Sequence, residues 1–318
     1  MEYFINLICG AGLFLYGVNC MSAGFKDIFG NRMRDFLYAA TKSKFRGVVT
    51  GAAVTGIIQS SCASTVMAVG FVNSGLMSLS SAVSVVMGAN IGTTVTSLIV
   101  AFDFSELAPF AVVTGTVLLL FGKKERTRKT GSAVVGFGLL FLGMNMMTSA
   151  FSSAEGRDSF VDIIYGVRGK LPCVAAGFLM TVVMQSSSAT VGILQALCLS
   201  GFVDISDAVY IIFGQNIGST VPAMIAATGT EKTAAAVARS NLIFNIAGTV
   251  LFLIIGEFIS FTELLLPFTD GSKQVSAMHI FFNIASTLVL LPFSGKIADI
   301  SLKMGEIRIP FLRRKKAV

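Results

Sequence analysis

Long apolar segments alternate with short polar connections along most of this chain. Segments of about 20 mainly apolar residues predict helices that cross a lipid bilayer. Four segments are interrupted: a Gln-Ser-Ser run divides 47–75 and 173–201, and Gly and Asn residues divide 81–102 and 207–228. The apolar segments are residues 4–24, 47–75, 81–102, 107–122, 131–150, 173–201, 207–228, 236–256 and 275–295.

The second part of the chain repeats the first at a constant spacing of 126 residues. Gln59-Ser60-Ser61 matches Gln185-Ser186-Ser187, and GANIGTT (88–94) matches GQNIGST (214–220). The first apolar segments match as well, GAGLFLYGVN (10–19) with GFGLLFLGMN (136–145). One ungapped offset over so many positions indicates duplication of a unit of several helices. We expect transmembrane repeats at 1–126 and 127–256, followed by an additional C-terminal transmembrane helix and a basic cytoplasmic tail within 257–318.

Composition and charge exclude a water-soluble protein. Hydrophobic residues make up 54% of the chain and charged residues 13%, about half the share of charge found in soluble domains. The net charge of +7 comes from basic blocks beside apolar segments: Arg32 to Arg46, Lys123 to Lys129 and Arg308 to Lys316. Such blocks indicate membrane orientation rather than a nucleic-acid surface. The single His and five Cys lack the spacing of a metal centre.

The connections indicate that the repeats have opposite orientations. Residues 25–46 hold six basic and two acidic residues, whereas the matching 151–172 hold three of each. Matched loops of different charge belong on opposite sides of a membrane. Three crossings and one re-entrant hairpin per repeat (47–75 and 173–201) satisfy this, with seven crossings in total. The predicted fold class is an all-α polytopic membrane protein with two inverted-topology repeats, each with a re-entrant Gln-Ser-Ser hairpin and a broken helix. This pattern is typical of secondary transporters; an ordinary helical bundle is the alternative.

The polar residues of the interrupted segments predict a binding site. Residues 47–102 contain no Asp, Glu, Lys, Arg or His, and unpaired polar groups are costly in hydrocarbon. Hydroxyl and amide groups suit an alkali cation or an oxyanion, and a dianion without a nearby base needs co-bound cations. Coupling to sodium is therefore favoured over a proton relay. The candidate residues are Gln59, Ser60, Ser61, Ser64, Thr65, Asn90, Thr93, Thr94, Gln185, Ser186, Ser187, Ser188, Thr190, Asn216, Ser219 and Thr220.

The paired motifs QSSCAST (59–65) with GANIGTT and QSSSAT (185–190) with GQNIGST resemble the type II sodium–phosphate cotransporter family, over about residues 5–295. The resemblance implies sodium-driven symport of inorganic phosphate by alternating access, with no cofactor beyond the sodium ions. It implies a bacterial cytoplasmic membrane, a possible homodimer and no enzymatic activity. It also implies that the two Gln-Ser-Ser hairpins line one central site, with further ligands from the broken helices.

The resemblance does not separate the phosphate ligands from the sodium ligands. Cys62 stands where the family usually has a third Ser, and a thiol is a poor ligand for a hard cation. The sodium ligands are expected among Gln59, Ser60, Ser61, Thr94, Gln185, Ser186, Ser187 and Thr220.

Other readings of the sequence stay open. The same polar path would serve an uncoupled phosphate exporter or channel, and a structural or signalling membrane protein would use its polar groups only for helix packing. NLIFNIA (241–247) and HIFFNIA (279–285) echo each other, and Asn245 and Asn283 are expected to bridge helices. Many bacterial relatives continue into a cytoplasmic helical domain, so we expect this chain to be a short member or a truncated piece.

Overall fold

The described part of the chain is a bundle of helices. A computed structural model describes residues 2–39, 43–153 and 168–305, and no strand occurs among them. Within this part, six helical stretches are long and apolar enough to cross a membrane. The helices are α1 (Glu2–Ala39), α2 (Lys44–Ile58), α3 (Ser61–Asn73), α4 (Leu79–Ala101), α5 (Ala108–Phe121), α6 (Glu125–Ser152), α7 (Lys170–Met184), α8 (Ser187–Leu199), α9 (Ile205–Gly218), α10 (Val221–Ala226), α11 (Lys232–Ile255), α12 (Phe261–Leu265), α13 (Gly271–Leu290) and α14 (Ser294–Met304).

The structure agrees only in part with the connections and crossings predicted from the sequence. Helix α1 continues through the predicted connection 25–46 as far as Ala39, since Lys and Arg are good helix formers. The segment 107–122 corresponds to α5, which has 14 residues and is short for a crossing. Most of 151–172 and the basic block 308–316 lie outside the described residues, so the seven-crossing topology stays a prediction.

The matched first helices of the two repeats, α1 and α6, pack against each other through glycines. A Cβ atom added at Gly10 would lie 2.8 Å from the carbonyl oxygen of Gly143, and one at Gly17 would lie 2.7 Å from that of Gly136. The partner numbers fall as the residue numbers rise, so the helices run antiparallel. Gly10 matches Gly136 in the repeat, and Gly17 matches Gly143. The contact is therefore self-complementary, as in a two-fold interface.

Each Gln-Ser-Ser segment folds as a pair of short helices joined at the glutamine. In the first repeat, a Cβ atom at Gly88 would overlap the carbonyl oxygen of Val48, and one at Gly92 would meet that of Ala52. These partner numbers rise together, so α2 and α4 run parallel. Helix α3, between them in sequence, must therefore return the chain. In the second repeat, the matched contacts of Gly214 with Val174 and of Gly218 with Phe178 show that α7 and α9 are also parallel. Helix α8 therefore returns the chain there.

The predicted breaks in 81–102 and 207–228 have different outcomes. In the first repeat the prediction was wrong, because α4 is one uninterrupted helix from Leu79 to Ala101. Its glycines allow close packing on α2 instead of unwinding. In the second repeat the helix does break, since α9 ends at Gly218 and α10 begins at Val221. Pro222, in the first turn of α10, lacks the N–H needed to continue the preceding helix.

Helices α11 and α13 complete the bundle beside α4 and α9. Phe213 of α9 stacks on Phe282 of α13 with ring centroids 5.0 Å apart, and Phe252 of α11 lies 4.9 Å from Phe282. These fully buried rings fix α11 and α13 against the second repeat. On the other side of the same helices, polar residues face α4.

Candidate functional site

The two Gln-Ser-Ser runs form turns of nearly identical backbone shape. Gln59 has φ 60° and ψ 26°, and Gln185 has φ 53° and ψ 21°. Each then leads into an extended serine, Ser60 or Ser186, whose hydroxyl accepts a hydrogen bond from the main chain three residues later. A non-glycine residue in the left-handed region is uncommon and costs free energy. The same strained turn, present twice, points to a function for both.

These two turns meet at one small cavity. Its volume is about 150 Å³, below the range of about 300–1,000 Å³ for pockets that hold drug-sized ligands. The cavity therefore suits a small inorganic ion. It is lined by Val18, Asn19, Ser22, Gln59, Ser60, Ser61, Cys62, Gln185, Ser186, Ser187, Ser188 and Ser219.

The lining of this cavity is polar but uncharged. Its hydroxyl and amide oxygens can accept hydrogen bonds from a ligand or coordinate a hard cation. Its O–H and N–H groups can donate hydrogen bonds to an oxyanion. Among the described residues that line the cavity, none is Asp, Glu, Lys, Arg or His. An anion placed here would therefore have no side-chain counter-charge from the lining.

A chain of hydrogen bonds holds the first glutamine and joins the two repeats. Thr96 of α4 donates its hydroxyl to Gln59 Oε1, and Gln59 Nε2 donates to the carbonyl oxygen of Gly56. Thr96 Oγ1 also lies 3.1 Å from Ser188 Oγ of the second repeat. All three side chains of this Gln59–Thr96–Ser188 link are buried, and the link closes the cavity on this side.

The second glutamine is in a different environment. The side chain of Gln185 is exposed and forms no hydrogen bond with any residue that the structure describes. Asn19 of α1, on the same cavity, is exposed as well. The cavity is thus closed beside Gln59 and open beside Gln185.

The structure brings about half of the predicted site residues to the cavity. Gln59, Ser60, Ser61, Gln185, Ser186, Ser187, Ser188 and Ser219 line it. The remaining predicted residues do not line it: Ser64, Thr65, Asn90, Thr93, Thr94, Thr190, Asn216 and Thr220.

Most of those remaining residues are bonded elsewhere. Thr55 Oγ1 donates to Ser64 Oγ at 2.7 Å, and the matched Thr181 and Thr190 hydroxyls are 3.2 Å apart, so these pairs hold the two arms of each turn together. The hydroxyls of Thr93, Thr94 and Thr220 donate to carbonyl oxygens of their own helical segments, as does the amide of Asn216.

Sequence reasoning missed three contributors to the site. Asn19 and Ser22 come from α1, which read as an ordinary apolar span, although an amide at Asn19 and again at the matched Asn145 was a visible signal. Thr96 lies in the uncharged stretch 47–102 but is not among the predicted site residues. Nothing in the sequence relates it to Ser188, 92 residues away.

Comparison with known proteins gives a family and several relatives. The profile of the Na+/Pi-cotransporter family matches residues 13–149 and again 156–293. YjbB of Escherichia coli O157:H7, named as an inorganic phosphate export protein, is 28% identical over 297 residues, covering 92% of this chain and 54% of its own. YqeW of Bacillus subtilis (strain 168), an uncharacterized protein, is 25% identical over 284 residues, 89% of this chain and 92% of its own.

A mammalian relative matches only part of the chain. Sodium-dependent phosphate transport protein 2A of Rattus norvegicus is 40% identical over 91 residues, which is 28% of this chain and 14% of its own. The chain spans about half the length of the YjbB relatives that it matches. No solved structure matches.

Proposed function

Because the chain belongs to the Na+/Pi-cotransporter family, we propose that it is a symporter that carries inorganic phosphate with sodium across the bacterial plasma membrane. The chain is a multi-pass membrane protein by its long apolar helices. The observation that carries the proposal is that both Gln-Ser-Ser turns line one small cavity, to which the described residues contribute no charged side chain.

Electrostatics supports coupling to a cation. Transfer of an unpaired anion from water into a low-dielectric site costs several kcal/mol even after relaxation. The cavity lining offers hydrogen-bond donors but no Lys or Arg to offset that cost. Sodium ions bound with phosphate would supply the missing charge, and they would make phosphate binding depend on sodium concentration.

In the proposed site the two turns provide most of the ligands. Gln59, Ser60 and Ser61 act from one side, Gln185, Ser186, Ser187 and Ser188 from the other, and Ser219 from the break after α9. Sodium and phosphate share this set, while Ser64 and Thr190 brace the turns and Thr94 and Thr220 support the adjoining helices. Homodimer formation stays a prediction.

The proposed membrane topology is an inverted repeat with two re-entrant hairpins. Antiparallel packing of the matched helices α1 and α6 supports the inversion. The hairpin proposal draws on the parallel packing of α2 with α4 and on the length of the arms. The arms have 15 and 13 residues, about 20 Å at 1.5 Å per residue, against a hydrocarbon core of about 30 Å. The repeats would occupy 1–126 and 127–256, with 257–318 as an addition.

Uncoupled phosphate export is the second candidate, because YjbB is named as an export protein. The same uncharged cavity would then pass phosphate without sodium. The two functions differ in one measurable quantity, the dependence of phosphate flux on a sodium gradient.

The test is uptake of radiolabelled phosphate by proteoliposomes containing the purified chain, with an inward sodium gradient or with choline in its place. The symport proposal predicts uptake that needs sodium and that falls at least about tenfold, about 1.4 kcal/mol, in Gln59→Ala and in Gln185→Ala. Gln274→Ala, the same change at a half-buried glutamine of α13, is the matched control and should transport normally. Flux of equal size in choline would overturn the coupling and favour export.

A further inference from the structure

The hydrogen bonds of the Gln59–Thr96–Ser188 link have a fixed direction. The carbonyl oxygen of Gly56 can only accept, so the atom of the Gln59 amide that lies against it is Nε2, the donor. Thr96 then donates its hydroxyl proton to Gln59 Oε1. Because a hydroxyl has a single proton, Thr96 Oγ1 can only accept from Ser188 Oγ, 3.1 Å away. Ser188 is therefore the donor in its contact with Thr96.

Ser188 consequently has no hydroxyl proton left for a ligand. It lines the cavity and is buried, and its side chain forms no other hydrogen bond with a described residue. Its oxygen offers a ligand lone pairs alone. The hydroxyls of Ser60 and Ser186 differ, because they accept from the main chain and keep their protons for a ligand. The cavity thus combines free donors with a fixed acceptor.

Ser219 also lacks a free proton, since its hydroxyl donates to the carbonyl oxygen of Asn216 at 2.7 Å. The two serines lie at opposite kinds of helix end. Ser188 is in the first turn of α8, where the helix dipole favours an anion, whereas Ser219 directly follows α9, where the dipole favours a cation. An anion in the cavity is therefore expected beside Ser188 rather than beside Ser219.

A fixed acceptor at this point distinguishes phosphate from sulfate. Both are tetrahedral oxyanions of similar size, but at neutral pH inorganic phosphate keeps at least one proton and sulfate keeps none. A P–O–H group can donate to a lone pair of Ser188 Oγ, whereas a sulfate oxygen would meet that lone pair with one of its own. A site that hydrogen-bonds a group of its ligand rejects the analogue without that group, because the buried partner is then left unpaired.

We propose that Thr96 is a positioning residue for substrate selectivity, which makes Ser188 the acceptor for the P–O–H group and so favours phosphate over sulfate. The inference rests on the proposed function in placing phosphate in this cavity, but it does not depend on coupling to sodium. Thr96 does not line the cavity and acts through the proton of Ser188. Only the second repeat supplies this acceptor, since Cys62 matches Ser188 and a thiol accepts weakly.

The test is competition by unlabelled phosphate and by sulfate against radiolabelled phosphate bound to the purified full chain, at neutral pH in sodium. Thr96→Val has nearly the same shape but no hydroxyl, so the proton of Ser188 becomes free to donate to sulfate. Thr96→Ser keeps the hydroxyl. Thr93→Val is the matched control, because Thr93 is also buried on α4, does not line the cavity and donates only within its own helix.

The readout is the ratio of the inhibition constants of sulfate and phosphate, since a general loss of folding or affinity changes both constants alike. We expect this ratio to fall about tenfold in Thr96→Val, about 1.4 kcal/mol, and to keep its wild-type value in Thr96→Ser and Thr93→Val. Arsenate also keeps a proton at neutral pH, so its ratio to phosphate should stay constant in every variant. An arsenate ratio that changes with the sulfate ratio would show only a loosened cavity and would overturn the proposal.

An unchanged sulfate ratio in Thr96→Val would also overturn it, as would sulfate that competes as well as phosphate for the wild type. A change in the half-saturating sodium concentration alone would make Ser188 a cation ligand instead. The proposed function fails by different results. Phosphate binding of equal size in choline removes the coupling and leaves the selectivity test intact, whereas phosphate binding that survives Gln59→Ala and Gln185→Ala places phosphate outside the cavity and overturns both.

Discussion

Gln59 and Gln185 occupy matched turns with almost the same backbone torsions, yet their side chains have different surroundings. Gln59 is 5% exposed and hydrogen-bonded to Thr96, whereas Gln185 is exposed. The residue that matches Thr96 is Pro222, and the residue that matches Ser188 is Cys62. The second glutamine therefore lacks counterparts to both hydroxyls of the Gln59–Thr96–Ser188 link.

This comparison separates what the duplication supplies from what later substitutions changed. Duplication gives two equal turns and equal glycine contacts, which build the cavity. The substitutions at two matched pairs leave one side closed by hydrogen bonds and the other side open. If the proposed transporter opens its cavity in turn to the two sides of the membrane, the hydrogen-bonded side at Gln59 is the side expected to cost more free energy to open.

The largest expected effect tests whether the two repeats are packed in the same way. Gly88→Ala and Gly214→Ala each place a Cβ atom on a backbone carbonyl oxygen, of Val48 and Val174 respectively. We expect each to lower the free energy of unfolding by about 3 kcal/mol, since overpacking forces backbone shifts. Thermal or denaturant unfolding in detergent measures this. Gly70→Ala, in open space, should be neutral or slightly stabilising. A large loss at one position only would mean that the repeats are packed differently.

The next effect tests the link on the closed side. Thr96→Val removes the hydroxyl between Gln59 and Ser188, and we expect a loss of about 2 kcal/mol because two buried polar groups lose their partner. Thr93→Val is the control, since its hydroxyl donates only to the carbonyl oxygen of Ala89 in its own helix. The free energies of unfolding of Thr96→Val and Thr93→Val, measured in detergent, test this. Equal losses would show that the link stabilises the fold no more than one hydrogen bond within a helix does.

Pro222 tests the break that only the second repeat has. Pro222→Ala permits α9 and α10 to join, which would draw Ser219 into a continuous helix, as in α4. We expect phosphate uptake to fall about tenfold, about 1.4 kcal/mol, without loss of folded protein. Pro109→Ala, also in the first turn of a helix, is the control for uptake. Unchanged transport by Pro222→Ala would make the break irrelevant to function.

The smallest effect concerns the thiol in the cavity. Cys62→Ser gives the first turn the hydroxyl that Ser188 gives the second. One added hydrogen bond is worth about 1 kcal/mol, so we expect phosphate to bind about fivefold more tightly. The apparent KM for phosphate uptake reports this, with Cys9→Ser on the exposed part of α1 as control. Weaker binding in Cys62→Ser would show that the thiol itself has a role.

The duplication, the helical fold and the two Gln-Ser-Ser turns were predictable from the sequence because they depend on local composition and on exact repetition. The continuity of α4 was not, since glycine serves unwinding and close packing equally, and only the neighbour α2 decides which applies at Gly88. Pro222 in the second repeat was a readable signal for the difference. Asn90 of α4 is hydrogen-bonded to Asn241 and Asn245, which lie 151 and 155 residues away, and no periodicity relates such distant positions.

The central claim is that both turns form one phosphate site that depends on sodium. Equilibrium binding of radiolabelled phosphate to the purified chain, in sodium and in choline, tests it most directly when Gln59→Ala, Gln185→Ala and Gln274→Ala are compared. The account predicts binding only in sodium, lost in both turn variants and kept in Gln274→Ala. Phosphate binding that persists in either turn variant, or that is equal in choline, would contradict it.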